Sequence, residues 1–170
     1  MPILQLPDIR YKDSYLAALR EYVEEGREIE ERLKEAEADF DAFVEKEKSK
    51  ARGENLPAGF VPETRLWLVE GAEYIGDLHI RHRLTDHLRE VGGHIGYGIR
   101  PSKRKQGYGK LILKLGLEKA KEMGLEKVLL TCDITNIGSR KIIEANGGVF
   151  ENQVPNEPGL PDKVRFWFDT

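Results

Sequence analysis

Two glycines and three basic residues stand close together in the stretch RKQGYGK, residues 104–110. The following LILKLGLEKAKEMG has the apolar spacing of a helix and ends at Gly124, a residue that commonly terminates helices. The first amides of a helix have no partner within it, and the helix dipole adds partial positive charge there. Glycines remove the Cβ atoms that would keep an anion away from such a backbone. The stretch therefore predicts a phosphate or pyrophosphate site, with extra positive charge from Arg104, Lys105 and Lys110.

Two common phosphate motifs do not fit this stretch. A Walker A loop requires a glycine five residues before Gly109 and a Ser or Thr after Lys110, where the chain has Arg104 and Leu111. The dinucleotide fingerprint requires a third glycine where Ile112 stands. Because a short R-x-x-G-x-G string also arises by chance in loops, the surrounding elements decide what it means.

The elements before and after the motif alternate between helical and extended patterns. Residues 3–6 are extended, and residues 13–50 have the periodicity of two helices, interrupted at Gly26. TRLWLVE and EYIGDLHIRHRL predict two strands joined at residues 70–72, and GHIGYGIRP predicts a third. KVLLTCD, GVFENQ and KVRFWFDT predict three more strands, and NIGSRKIIEANGG a short helix. The order is typical of an α/β fold with a mixed central sheet of about six or seven strands and about four flanking helices.

Composition limits the class of protein. With 170 residues we expect one domain over 1–170, with an N-terminal helical part at about 12–50 and a cofactor-binding core at about 91–150. A net charge of −3 argues against a nucleic-acid partner. The single Cys132 cannot form an internal disulfide, and no Cys/His group has zinc-site spacing, so we expect no metal. The chain shows neither a signal-peptide pattern nor a membrane-spanning apolar run, so we expect a soluble, cytoplasmic protein without a membrane partner.

The motif and its surroundings resemble the GCN5-related N-acetyltransferase (GNAT) superfamily. In that family an acetyl-CoA motif, R/Q-x-x-G-x-G/A, follows a strand, and here the corresponding segment is IGYGIRPSKRKQGYGKLIL. A second signature, N-x-x-[AS], opens the next helix and ends near a glycine-aromatic pair, as in TNIGSRKIIEANGGVF. The element order matches from residue 64 to the C-terminus, so the resemblance covers nearly the whole chain.

The resemblance implies acetyl-CoA as co-substrate, with its pyrophosphate on the backbone of residues 105–110. The pantetheine arm would pair with the strand over residues 96–101, and Gly96 and Gly98 suit a strand that a ligand approaches closely. Asn136 and Ser139 match family positions near the cofactor, although Asn136 could simply cap the helix. The cofactor-binding candidates are Ile99, Arg104, Lys105, Gln106, Gly107, Tyr108, Gly109, Lys110, Asn136 and Ser139.

The resemblance also implies that a neutral amine attacks the thioester directly while a strand N–H stabilises the developing negative charge. Many members place a tyrosine, as proton donor to the CoA thiolate, seven residues after the helix-opening asparagine. The chain has Ile143 there, so the thiolate would leave unaided or take its proton from water. Tyr97 lies in the third strand and could be a core residue.

Three residues are candidates for the base that accepts the amine proton: His94, Glu90 and Asp133. A histidine titrates near neutrality, which suits a base, but a surface histidine at the start of a strand is the favoured interpretation of His94. His79 and His82 lie three apart in a strand and point to opposite faces, so they cannot chelate a metal as a pair.

The sequence thus predicts an N-acetyltransferase that moves an acetyl group from acetyl-CoA to a primary amine, on a small molecule or on a protein. Small molecules are slightly favoured over protein tails. Two alternatives stay open. Ile143 is consistent with a non-catalytic acyl-CoA sensor or regulatory domain, and Gly92, Gly93 and Gly96 leave room for a larger acyl group such as succinyl. The strand VRFWF could support pairing in a homodimer, but a core-facing strand would explain its aromatic residues equally well.

Overall fold

The computed structural model describes all residues 1–170 and contains seven strands and five α-helices, together with short helical turns. The strands are β1 (Ile3–Gln5), β2 (Glu63–Glu70), β3 (Glu73–Arg81), β4 (Ile95–Ile99), β5 (Lys127–Asp133), β6 (Val149–Val154) and β7 (Lys163–Asp169). The helices are α1 (Lys12–Glu24), α2 (Glu30–Ala38), α3 (Phe40–Ser49), α4 (Tyr108–Glu122) and α5 (Ile137–Ala145). The α/β class and the number of strands are as predicted.

The strands form two sheets that touch at one end. One sheet has the antiparallel order β1-β2-β3-β4 and the other has the order β5-β7-β6. The sheets meet where Gly93 and Leu130 form an isolated bridge and the His94 N–H donates to the Leu129 carbonyl at 2.7 Å. Beyond this junction β4 and β5 diverge and leave a notch between them.

The four-stranded sheet carries a hydrophobic core on each face because its side chains alternate between the two faces. Leu66 and Leu78 face α4 and belong to the larger core, which continues onto β5 and β7. Trp67 faces the other way and stacks on Tyr15 of α1, with ring centroids 4.4 Å apart. None of the helices combines the length and the apolar character that a membrane-spanning helix requires.

The N-terminal region has three helices instead of the two that the periodicity predicts. The second predicted helix is divided at Asp39, whose backbone is extended with φ −152° and ψ 95°. Its carboxylate accepts a hydrogen bond from the Ala42 N–H at 3.0 Å, which makes Asp39 the N-cap of α3. The break at Gly26 is at the predicted position, with φ +93°.

Strand β7, which contains VRFWF, lies between β5 and β6. Its backbone groups are therefore paired on both sides, so the predicted pairing of this strand with a second copy is wrong. The edge strand of this sheet is β6. A homodimer through another surface stays a prediction.

Candidate active site

The loop before α4 presents a row of free backbone N–H groups. None of the six amides of residues 105–110 donates a hydrogen bond within the protein, and the first that does is that of Leu111, to the Gly107 carbonyl at 3.2 Å. Lys105 and Gly107 have left-handed backbones, with φ +60° and +88°, which turn successive amides toward one side. A Cβ on Gly107 would have no atom within 4 Å, so this side is open. The geometry fits an anion bound by backbone amides.

The second glycine of the motif has a different role. A Cβ on Gly109 would lie 2.5 Å from Cδ1 of Ile142 in α5. Because glycine has no Cβ, the beginning of α4 can pack closely against Ile142 of α5.

Arg104 holds the loop in place and does not point into it. Its Nε donates to the Ile99 carbonyl at 3.0 Å, and its two terminal nitrogens donate to the Glu25 carboxylate at 2.7 and 2.8 Å. One turn earlier on α1, Glu21 accepts from the Ser102 N–H and from Arg100. The Arg104 guanidinium also holds the pKa of Glu25 below its usual range. The charge of Arg104 is therefore used for anchoring the loop to α1, which the sequence prediction did not include.

A cleft of about 510 Å³, here called the donor cleft, lies between β4, this loop and the N-terminus of α5. It brings together six of the ten predicted cofactor residues: Ile99, Arg104, Lys105, Gly109, Asn136 and Ser139. The other four, Gln106, Gly107, Tyr108 and Lys110, continue the loop and begin α4. The Tyr108 hydroxyl is turned away toward Glu70, at 3.3 Å, so only its backbone is available to a ligand.

The edge of β4 that faces the notch also has free backbone groups. The backbone N–H of Arg81 donates to the His94 carbonyl and the backbone N–H of Arg100 donates to the Ile75 carbonyl. The even-numbered residues of β4 therefore pair with β3. The N–H groups of Tyr97 and Ile99 consequently point away from β3 and toward the notch. These N–H groups are free to pair with an extended ligand, and the pairing near Ile99 stays a prediction.

At the start of α5, Asn136 is the N-cap, and its side chain accepts from the Ser139 N–H at 3.1 Å. The simple capping alternative thus describes the Asn136 side chain. The Ser139 hydroxyl lies 3.0 Å from the Tyr97 hydroxyl, and the two form a hydrogen bond across the notch. Burial raises the pKa of Tyr97 to about 12.

The three base candidates from the sequence line neither the donor cleft nor the pocket described below. Nδ1 of His94 accepts the Leu129 N–H at 2.9 Å, and burial lowers the pKa of His94 to about 4. The His94 imidazole therefore has a structural role, because its hydrogen bond with Leu129 links the two sheets. Glu90 is exposed in the turn before β4, and Asp133 pairs with Lys163 at 2.6 Å. The structure thus corrects this part of the prediction.

A second cavity, of about 390 Å³ and here called the acceptor pocket, lies on the opposite face of β4, against α1 and α2. Its polar lining residues are Arg27, Arg32, Arg65, Asp77 and His79. Arg27, Tyr97 and Gly98 line both cavities. The two cavities therefore adjoin at Tyr97 and Gly98 of β4 and at Arg27, which follows α1.

Asp77 places a carboxylate oxygen at this meeting point. Its Oδ2 accepts from Arg65 at 2.7 Å, whereas Oδ1 has no hydrogen bond and lies 3.5 Å from the position that a Cβ on Gly98 would take. The sequence prediction did not identify Asp77. Period-two alternation places it with His79 on one face of β3, and the register that pairs Asp77 with Gly98 was the missing information.

His79 occupies the space left by Gly96. A Cβ on Gly96 would lie only 2.3 Å from the Cε1 atom of the His79 ring, so this glycine makes room for the histidine and not for a ligand. Burial and the nearby Arg65 lower the pKa of His79 to about 3, and its Nε2 has no hydrogen-bond partner. His79 is therefore a neutral imidazole in the wall of the acceptor pocket.

A buried carboxylate holds the wall of this pocket together. Glu47 of α3 is 1% exposed and pairs with Arg32 of α2 at 3.1 Å, with Arg65 of β2 at 3.3 Å and with Lys50 at 2.7 Å. Burial alone would raise the pKa of Glu47, but these three cations lower it to about 2. No group of three or more His, Cys, Asp or Glu side chains is arranged to hold a metal ion.

Comparisons with known proteins identify the family and the fold. The sequence model of the acetyltransferase (GNAT) domain matches residues 9–149. No curated protein sequence is significantly similar to the chain. The structure is similar to that of RimJ from Mycobacterium smegmatis in complex with CoA-disulfide, with a TM-score of 0.75 at 16% identity, over 99% of this chain and 82% of that one.

Two other solved structures are similar at the same level. One is a Salmonella typhimurium acetyltransferase that modifies the N-terminal serine of the ribosomal protein L7/L12, with a TM-score of 0.69, 14% identity and coverage of 99% and 95% of the two chains. The other is the microcin C7 self-immunity acetyltransferase MccE in complex with acetyl-CoA and AMP, with a TM-score of 0.69, 12% identity and coverage of 99% and 92%. At such identities these structures support the fold. Because the family model matches most of its length, the chain belongs to the acetyltransferase (GNAT) domain family.

Proposed function

We propose that the chain is an acetyl-CoA-dependent N-acetyltransferase that moves the acetyl group to a primary amine by direct attack. The observation that carries this proposal is the meeting of two cavities at Tyr97 and Gly98 of β4. Bound acetyl-CoA would supply an acetyl group activated as a thioester. A direct transfer requires both reactants to reach one point from different sides, and this strand offers such a point.

The donor side fits the phosphates and the pantetheine arm of CoA. The free amides of residues 105–110 and the partial positive charge at the start of α4 suit the pyrophosphate. The N–H groups of Tyr97 and Ile99 suit an extended arm that contains amides. A β4 N–H close to the thioester would stabilise the negative charge that develops on its oxygen. The complexes of MccE with acetyl-CoA and of RimJ with CoA-disulfide support this assignment.

The acceptor side supplies a carboxylate for the amine. We assign to Asp77 the binding of the amine and the removal of its proton, directly or through one water, because its free Oδ1 lies beside Gly98. The ion pair with Arg65 fixes the other oxygen, so the orientation of the carboxylate is set before the amine arrives. His94, Glu90 and Asp133 are not part of this proposal.

The shape of the acceptor side favours an amine at the end of an extended molecule. The acceptor pocket shares Arg65 and His79 with a further cavity of about 780 Å³ under the loop that follows α3. Such a groove suits the N-terminus of a polypeptide, which is the acceptor of the similar Salmonella enzyme. A cytoplasmic location and the absence of a nucleic-acid partner stay predictions.

The experiment has two stages. Calorimetric titration with acetyl-CoA comes first, followed by measurement of CoA release with peptides that carry a free N-terminal amine. The same peptides with a blocked N-terminus serve as controls, and small polyamines form a second acceptor set. Release that depends on a free amine supports the proposal. Tight acetyl-CoA binding without transfer to any amine would instead favour a sensor, and faster turnover of succinyl-CoA would favour a larger acyl group.

A further inference from the structure

The position at which many family members carry an acidic tyrosine is part of the core in this chain. Ile143 has no exposed surface, and its Cγ2 lies 2.6 Å from the position that a Cβ on Gly148 would take. A side chain packed this tightly leaves no room for a hydroxyl or a water at residue 143. If a protein group donates a proton in this chain, it must come from another element.

Tyr97 brings a hydroxyl to the donor cleft from the opposite wall. It lines both cavities, and its ring lies on the α4 side of β4, at the border of the larger core. The hydroxyl reaches the Ser139 hydroxyl at 3.0 Å. It is therefore held between β4 and the start of α5, beside the point where the two cavities meet.

We propose that the Tyr97 hydroxyl donates a hydrogen bond to the sulfur of CoA in the donor cleft and stabilises the thiolate as the thioester is cleaved. The inference rests on the proposed function. In this step the amine nitrogen bonds to the acyl carbon, and the carbon–sulfur bond breaks with its electron pair on sulfur. The tyrosine keeps its proton and donates a hydrogen bond to the thiolate, which takes its own proton from solvent. The proton lost by the amine leaves through Asp77, so charge and atoms balance.

The surroundings of Tyr97 suit this role. The Asn136 cap holds the backbone of Ser139, and the Ser139 hydroxyl can donate to the tyrosine oxygen. The tyrosine O–H then has only the Ser139 carbonyl as acceptor, at 3.5 Å, a long contact that the sulfur of bound CoA would replace. The high pKa that burial gives Tyr97 keeps the phenol protonated at neutral pH. Because the ring is fixed by β4, the hydroxyl needs no rearrangement to act.

The test is the pKa of the bound CoA thiol, measured from the ultraviolet absorbance of the thiolate in the saturated complex. A hydroxyl that donates to the thiolate stabilises it, so the bound thiol should ionise about one to two pH units lower in the wild type than in Tyr97→Phe. Tyr11→Phe is the matched control, since Tyr11 is buried before α1 and lines neither cavity. The control should titrate like the wild type.

The possible outcomes separate the role of Tyr97 from the proposed function of the chain. A thiol pKa that is unchanged in Tyr97→Phe, with CoA still bound, would overturn the role of Tyr97 and leave the proposed function standing. A larger rise in Ser139→Ala than in Tyr97→Phe would also overturn it and assign the donor to Ser139. Failure of the wild type to bind CoA would instead contradict the proposed function itself. Circular dichroism spectra that match the wild type would exclude misfolding of the variants.

Discussion

Arg104 and Glu25 form a bidentate ion pair that joins the loop before α4 to the end of α1, with nitrogen–oxygen distances of 2.7 and 2.8 Å. The same helix lines the acceptor pocket through Tyr15, Leu19 and Tyr22. One helix therefore contributes to the acceptor wall and also fixes the backbone that we assign to the pyrophosphate. A substitution of Arg104 or of Glu25 should therefore affect both the loop before α4 and the wall of the acceptor pocket.

The anchoring role of Arg104 predicts that its geometry matters more than its charge. Lysine keeps the charge but cannot make the two-pronged contact with Glu25 or the bond to the Ile99 carbonyl. We expect Arg104→Lys and Arg104→Ala to weaken acetyl-CoA binding alike, by roughly tenfold, in calorimetric titration. Wild-type affinity in Arg104→Lys would show that Arg104 acts as a simple point charge on the phosphate.

The open side of Gly107 predicts a selective loss of cofactor affinity on Gly107→Ala. The new Cβ would point into free space in the protein but would meet a bound phosphate, and we expect binding of acetyl-CoA to weaken by more than about tenfold. Gly124→Ala is the matched control, because Gly124 has nearly the same φ, +83° against +88°, and is equally open. Both variants should lose about 1 kcal/mol of stability. Equal affinities for acetyl-CoA would count against the amide site.

The role assigned to Asp77 predicts a defect in the use of the amine and not of the cofactor. Asp77→Asn keeps the size of the side chain and removes the base, so kcat/KM for the amine should fall about 100-fold or more while the Kd for acetyl-CoA stays within about twofold. Asp169→Asn, at the exposed end of β7, is the control. A loss of acetyl-CoA affinity in Asp77→Asn would mean that Asp77 supports the structure of the donor side.

The lowered pKa of His94 predicts that the free energy of unfolding falls in mildly acidic solution. Its pKa is about 4 in the folded chain and near 6.5 when unfolded, so only the unfolded chain takes up a proton between these values. The stabilisation that comes from the low pKa of His94 is complete above about pH 6.5 and is lost as the pH falls toward about 4. It reaches at most about 3 kcal/mol. His79 acts in the same direction. Urea unfolding at pH 7.5, 6 and 5 measures the effect.

In His94→Ala the Leu129 N–H loses its acceptor, which should cost about 1–3 kcal/mol at pH 7.5. The slope between pH 6.5 and 5 should also decrease, because the unfolded chain no longer takes up this proton. His87→Ala, at an exposed position where the helical turn before β4 begins, should keep the wild-type stability. A slope as steep in His94→Ala as in the wild type would contradict the assignment.

The donor side could be predicted from the sequence because it is local. The glycine motif, the start of α4 and the cap at Asn136 are each set by a few neighbouring residues, and the structure brings most of them into one cleft. Likewise Gly26 and Gly124 mark helix ends by their own conformational freedom.

The acceptor side could not be predicted because its contacts join residues that are far apart in the chain. Asp77 reaches Gly98 only through the register of β3 and β4, and the partner of Arg104 lies 79 residues earlier in the chain. His94 was misread for the same reason, since the amide that occupies its Nδ1 lies 35 residues later, on β5. Periodicity and motifs contain no information on such pairs.

The two cavities beside β4 are lined by different segments of the chain. Most of the acceptor pocket is built from residues 15–79, whereas the donor cleft uses mainly residues 97–142. Under the proposed function, substitutions in α1 and α2 should therefore change acceptor specificity, whereas β2 and β3 must be kept because they carry residues of both hydrophobic cores. Such variants must keep Glu21 and Glu25, because these two carboxylates bind Arg100 and Arg104 and so connect α1 to the segment between β4 and α4.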